Sequence, residues 1–246
     1  MGTLLRLSVP VGALLALGAC ELSAPAAQPT TAGSSSAAYP PADRPVAEIV
    51  SSTWNDPAKR DRAKEAEQLV AALGIKPGMT VADVGAGSGY HTVRLSPVVG
   101  RTGRVLAQDV NGPYLRDLEA TIAQVGLTNV SVVRGAPDDP RLPARSTDVA
   151  LLVHMYHEIQ SPYAFMARLA EAMKPGGRVG IVDLDRPTHY HGTPPTLLRC
   201  ELTAVGYVET SFKELQGDIG YVAVFTAPAK APDPAAVTPC RNPNPR

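Results

Sequence analysis

Apolar residues recur along the middle of the chain with two alternating periods, one helical and one strand-like. Between positions 61 and 73 they fall at Ala63, Ala66, Leu69, Val70 and Leu73, with charges on the other face, the spacing of an amphipathic helix. Gly74 ends it as a C-cap, and Lys76-Pro77-Gly78 turns the chain into a first strand, Thr80–Val84. A second strand, Arg104–Asp109, leads to a helix over 113–125 that turns Leu115, Leu118, Ile122 and Val125 inward, and a short third strand covers 130–133. Residues 148–153, Asp-Val-Ala-Leu-Leu-Val, form a near-continuous apolar run, as expected of a parallel strand covered on both faces. A helix over 162–173 ends in a Lys174-Pro175-Gly176-Gly177 turn before a strand at 178–183. A last helix over 195–205 stops at Gly206, and two closing strands follow at 208–212 and Tyr221–Thr226. Strands separated by helical stretches predict an α/β fold with a doubly wound, mostly parallel sheet.

The two ends read differently. Arg6 precedes an apolar stretch over 7–19. Its length of about 13 residues is below the roughly 20 needed to span a bilayer and matches the h-region of an export signal. The stretch ends in Leu17-Gly18-Ala19-Cys20, which resembles the lipobox of bacterial lipoproteins. That resemblance implies a signal peptide at 1–19, a lipidated Cys20, and a membrane-anchored protein on the periplasmic side. The alternative is an ordinary signal peptide and secretion to the periplasm. Residues 20–45 and 228–246, rich in Ala, Pro, Ser and Thr, offer no apolar face and are expected to be a disordered tether and a disordered tail. Of the 24 prolines, 11 fall in these two short stretches, which leaves one folded domain at 46–227. If Cys20 is lipidated, Cys200 and Cys240 remain as an even pair. An oxidising compartment allows them to staple the tail to the domain.

Charge narrows the partners. Lys plus Arg and Asp plus Glu are both 23, a formal net charge of zero, so there is no basic excess of the kind nucleic acid demands.

The segment Asp83-Val84-Gly85-Ala86-Gly87-Ser88-Gly89-Tyr90 carries the candidate chemistry. Glycines after a strand let the backbone turn sharply and approach a ligand closely, and the following helix presents free N–H groups. A dinucleotide fingerprint, Gly-x-Gly-x-x-Gly, would place its third glycine at position 90; here it is Gly89. Asp83 before the loop also disfavours a pyrophosphate and suits the amino group and sulfonium of S-adenosylmethionine. Asp109, at the end of the second strand, is placed to accept both ribose hydroxyls. After the third strand, Asp138 or Asp139 is a candidate for the adenine amino group, although both acids also suit a turn.

With these motifs in hand, the stretch from about Ala63 to Thr226 resembles class I S-adenosylmethionine-dependent methyltransferases, and more narrowly exported bacterial members of that class with a lead like Lys76-Pro77-Gly78-Met79. The resemblance implies a seven-stranded sheet of order 3-2-1-4-5-7-6 with the last strand antiparallel, and cofactor at the carboxyl ends of the strands. It assigns cofactor contacts to Asp83, Gly85, Ala86, Gly87, Gly89 and Asp109, with Asp138 added from the turn. Ala136 stands where the family often has an acid.

Methyl transfer is an in-line displacement, so the protein supplies alignment and, where needed, a base. The end of the fourth strand, Val153-His154-Met155-Tyr156-His157-Glu158, offers His157 or Glu158 as that base and His154 as a cofactor contact. His189 and His191 follow the fifth strand; their spacing alone does not establish a metal site, and none is assigned. Trp54 precedes the first helix as a candidate lid. The expected activity is methyl transfer to a small or lipid-like acceptor. The alternative is an exported binding or scaffold protein that keeps the fold without turnover.

Overall fold

The computed structural model describes residues 39–49 and 56–241. The export signal, Cys20 and Trp54 lie outside the described residues. Among the described residues no helix is long and apolar enough to cross a membrane.

Seven strands form one sheet: β1 (Thr80–Val84), β2 (Arg104–Asp109), β3 (Val130–Arg134), β4 (Thr147–Val153), β5 (Met173–Asp183), β6 (Val208–Glu214) and β7 (Tyr221–Thr226). Their order is β3-β2-β1-β4-β5-β7-β6. β1 to β5 pair in parallel, and β7 runs antiparallel between β5 and β6. This is the expected topology. The central strands β1, β2 and β4 are almost wholly buried, whereas the edge strands β3 and β6 are half-buried or exposed.

Side-chain alternation assigns each strand residue to one of two cores. Ala82, Val84, Ala150, Leu152, Val179 and Ile181 pack against α5 (Pro162–Ala172) and α6 (Pro195–Ala204). Val81, Val105, Val149, Leu151 and Val182 pack on the other face against α2 (Glu65–Leu73) and α3 (Tyr90–Val99). Leu115 and Leu118 of α4 (Gly112–Val125) cover β2 and β3 in a third, smaller cluster.

Four expectations from sequence are corrected. The helix expected over 61–73 is broken. α1 (Pro57–Arg62), capped by Asp56, buries no side chain, and Lys64 takes a left-handed conformation (φ 52°) before α2 starts. The break lets Arg60 fold back onto the buried Glu65. Val125 does not face inward but is 51% exposed. Lys174–Gly177 is not a turn ahead of β5 but a bulge within it, between the pairs Thr147↔Met173 and Val149↔Arg178.

The fourth correction concerns the ends. Residues 228–241, expected to be a disordered tail, lie against the domain: Val237 and Cys240 are buried, and Cys240 forms a disulfide with Cys200 of α6. The Cys240 N–H also donates to the Tyr163 hydroxyl (2.7 Å). The end of the expected tether is docked too, since Arg44 is buried and paired with Glu201 (2.9 Å). Apolar burial of one valine and one disulfide replaces the continuous apolar face that the tail lacks.

Candidate active site

A cavity of about 460 Å³ opens at the carboxyl ends of β1, β2 and β4. Its wall includes Gly85 to Ser88 after β1, Gln108 to Val110 at the end of β2, and Val153 to Met155 at the end of β4. Arg60 of α1 and Tyr90 of α3 close one side; Tyr114 of α4 and Glu158 to Gln160 close others.

The glycine loop is pinned to β2. The N–H groups of Gly85 and Ala86 both donate to the Gln108 carbonyl (2.9 Å each), and the Gly87 N–H donates to Asp109 Oδ2 (2.9 Å). At Gly85 the backbone is left-handed (φ 73°), and a Cβ would stand 2.9 Å from Met155 Cγ. Gly89 is also left-handed (φ 98°) and begins α3, where a Cβ would stand 2.8 Å from Leu118. The spacing of these glycines therefore records two separate needs, room for the β4 loop and a close fit of α3 on α4.

Asp109 is 5% exposed and already holds two backbone donors, Gly87 on one oxygen and Asn111 on the other (2.8 Å). Burial raises its pKa above the ordinary carboxylate value, against the opposing effect of these N–H groups. Asp83 lies under the loop rather than in the cavity wall, and accepts from the Thr92 hydroxyl of α3 (2.7 Å). Asp138 is half-buried and outside the wall; its neighbour Pro137 lines the cavity, while Asp139 accepts from the Arg141 N–H and pairs with Arg168.

The three candidate catalytic residues separate. His154, left-handed at φ 53°, lines the cavity, and burial lowers its pKa to about 3, so its ring is neutral. Glu158 also lines the cavity; burial first, then the nearby Asp109 and Asp183, raise its pKa to about 8. His157 is outside the wall. A 3-10 turn over Tyr156–Glu158 points it toward the end of β5, where Nδ1 meets both oxygens of Asp183 at 3.0 Å. Asp183 further accepts from the Thr193 hydroxyl and the Leu184 N–H.

Several residues around the site carry no local signal in the sequence. Arg44 donates to the carbonyls of Tyr156, His157 and Ile159 (3.3 Å each), clamping the turn that presents Glu158. Arg60 stacks on Tyr90 (3.8 Å to the ring centroid) and bonds Glu65, which also meets His91 at 2.9 Å. Asp183 did leave a trace: like Asp109, it is an acid ending a buried apolar strand.

Residues 81–177 match the family model described as "Methyltransferase domain". That match agrees with the strand order, which is that of the class I methyltransferase fold. Curated relatives of the domain are ubiquinone/menaquinone biosynthesis C-methyltransferases UbiE. The chain is 26% identical over 121 residues to that of Shewanella pealeana (49% of this chain, 48% of the relative) and 26% over 123 residues to that of Pseudoalteromonas translucida (50% and 49%). The chain thus spans about half the length of the curated relatives it matches. Among solved structures, a methyltransferase from Aquifex aeolicus superposes with a TM-score of 0.63 at 24% identity, covering 70% of this chain and 98% of that one. An O-methyltransferase from Thermotoga maritima gives 0.52 at 19%, covering 74% and 67%. These structural likenesses concern the fold.

Proposed function

We propose that the protein is an S-adenosylmethionine-dependent methyltransferase acting on a small or lipid-like acceptor. The observation that carries the reading is the cavity itself: a glycine cradle on one side, Asp109 on the next, and an acceptor end built from Met155, Ile159 and Phe165 around Glu158. Its volume of about 460 Å³ lies in the range of small-molecule sites, about 300–1,000 Å³. The residues present suit the cofactor. Gly85 to Ser88 admit its close approach, and Asp109, a buried carboxyl, has a lone pair left on each oxygen for the two ribose hydroxyls.

When bound, the cofactor supplies a methyl group on a sulfonium. The chain aligns that group with the acceptor nucleophile and keeps water away. Glu158 is the carboxyl placed to act on an acceptor hydroxyl, and neutral His154 lends polarity without adding a charge that would repel the sulfonium.

The named relatives act in quinone biosynthesis, which supports a flat, apolar acceptor bearing a hydroxyl. A lipid anchor at Cys20 would set the site at a membrane surface where such molecules partition. The Cys200–Cys240 disulfide is of the kind found in oxidising compartments and supports export. Calorimetry with S-adenosylhomocysteine and NAD, followed by methyl transfer from labelled S-adenosylmethionine to a panel of quinols and lipid phenols, tests the reading. Binding of the first with transfer to one acceptor supports it. Binding without transfer to any acceptor points to a binding protein that kept the fold, and binding of NAD alone overturns the cofactor.

A further inference from the structure

At the cavity margin Glu158 converges with two ligand-bearing side chains that the methyl-transfer reading does not require, His157 and His191. One ligand atom from each lies within 4.8 Å of the others. We propose that these residues bind a divalent transition-metal ion of the zinc class.

The strongest support is His157. Its side chain is fully buried, and Nε2 has no hydrogen-bond partner among the described residues. Asp183 already accepts from Thr193 and Leu184 and faces Nδ1 with both oxygens. An acceptor-only carboxylate in that place puts the imidazole proton on Nδ1 and leaves the lone pair on Nε2. A carboxylate behind the distal nitrogen is the usual outer-shell partner of a metal-bound histidine. Without an ion, a buried lone pair is left unsatisfied, an uncommon and costly arrangement.

The other two ligands are held in place. His191 sits at the end of the 3-10 turn Thr188–Tyr190 in a left-handed conformation (φ 58°), and its carbonyl accepts from Arg186 Nε and Nη2 (3.1 and 3.0 Å). The Thr188 hydroxyl ties the same turn to the Pro45 carbonyl (2.6 Å). The His191 ring meets His157 edge-on with centroids 5.3 Å apart, and its Nδ1 is buried without a hydrogen-bond partner among the described residues. Glu158 brings an oxygen to 3.9 Å from His157 Nε2.

Ligand atoms about 2 Å from a shared ion stand roughly 3.3 Å apart in a tetrahedron, so closure of at most about 1.5 Å completes the set. Two imidazoles and a carboxylate suit zinc, and a site with three protein ligands keeps a position open. Magnesium and calcium, which prefer oxygen throughout, fit poorly. Because Glu158 lines the cavity, the open position lies at the cavity margin. An acceptor hydroxyl bound there would lose its proton more readily, with Glu158 acting as a ligand. This last role rests on the methyltransferase reading; the ion site does not.

The test is titration of the chelator-stripped full chain with Zn²⁺ by calorimetry and with Co²⁺ by visible absorption. The expected result is one equivalent bound, with a cobalt spectrum free of thiolate charge transfer. Affinity should fall at least tenfold in His157→Ala and in His191→Gly, which suits the left-handed backbone, and about 10- to 100-fold in Asp183→Asn. Unchanged S-adenosylhomocysteine binding by His191→Gly would show that this variant is folded, so the test survives a misfolded His157→Ala. Zinc bound as tightly by His191→Gly as by the parent, a thiolate cobalt spectrum, or no stoichiometric binding would each overturn the site. None of these readouts involves methyl transfer, so the two readings fail separately.

Discussion

Asp109 holds the glycine loop before any ligand arrives, because each of its oxygens takes one backbone N–H. An asparagine there must turn an NH₂ toward one of those donors. Leaving a buried donor unpaired costs about 1–3 kcal/mol, so Asp109→Asn should weaken S-adenosylhomocysteine binding roughly ten- to hundred-fold by calorimetry. Asp138, outside the cavity wall, should tolerate the same change within about threefold, and equal losses at both positions would refute the assignment of Asp109. Glu158 belongs to the other end of the cavity. Glu158→Gln keeps the shape and removes the ionisable carboxyl, so turnover should drop at least about tenfold while cofactor affinity holds. Single-turnover assays beside calorimetry separate the two. At this scale the sequence was informative where chemistry is local. Asp109 and the glycines are neighbours of the strand ends that position them. Asp138 and His157 stand outside the cavity wall because one residue's difference in a turn redirects a side chain. The partners that decide this, Asp139–Arg168 and His157–Asp183, are brought together only by folding.

Among the elements, β1, β2, β4 and β7 were read to within a residue, since burial on both faces demands an unbroken apolar run, whereas β5 starts five residues earlier than expected. The helices were less well bounded. Periodicity reports an apolar stripe but not where its cover ends, and Val125, on the stripe, is exposed. It also misses a break whose cause is tertiary: α1 turns at Lys64 so that Arg60 and His91 reach Glu65. Burial would raise the Glu65 pKa, yet the hydrogen bonds from His91 and Arg60 outweigh it and hold it at about 2, below the reference value of 4.5. A depressed carboxylate stabilises the fold above its unfolded pKa and loses that contribution as pH falls through the folded one. The α1–α2–α3 junction should therefore weaken between about pH 4.5 and 2, by about 3 kcal/mol in all. Glu65→Gln should be less stable than the parent by a similar amount at pH 6, and urea unfolding should show that gap closing by pH 2.5. A gap that stays constant across this range would mean the carboxylate is not held ionised by its partners.

Over the whole molecule, adjacent residues of α6 tie down both ends of the described chain: Cys200 holds the C-terminal segment through Cys240, and Glu201 holds the N-terminal segment through Arg44. The two ties should have different consequences. Arg44 also supports the turn carrying Glu158, so its loss reaches the site. Arg44→Ala strands a buried Glu201, at a cost of about 3–5 kcal/mol, and should lower turnover more than cofactor affinity. The disulfide closes a loop with a sequence separation of 40, and neither of its cysteines lines the cavity. Its chain-entropy contribution is about 4 kcal/mol at most, and measured values for such bridges commonly fall at about 2–4. Cys200→Ser with Cys240→Ser should reduce the urea midpoint accordingly while leaving S-adenosylhomocysteine affinity unchanged. The parent treated with reductant should match the variant in both respects. Two reactive thiols in the unfolded, unreduced parent beyond any at Cys20 would show that the bridge is not formed. A loss of cofactor binding in the double variant would show that the tail supports the site and not just the fold.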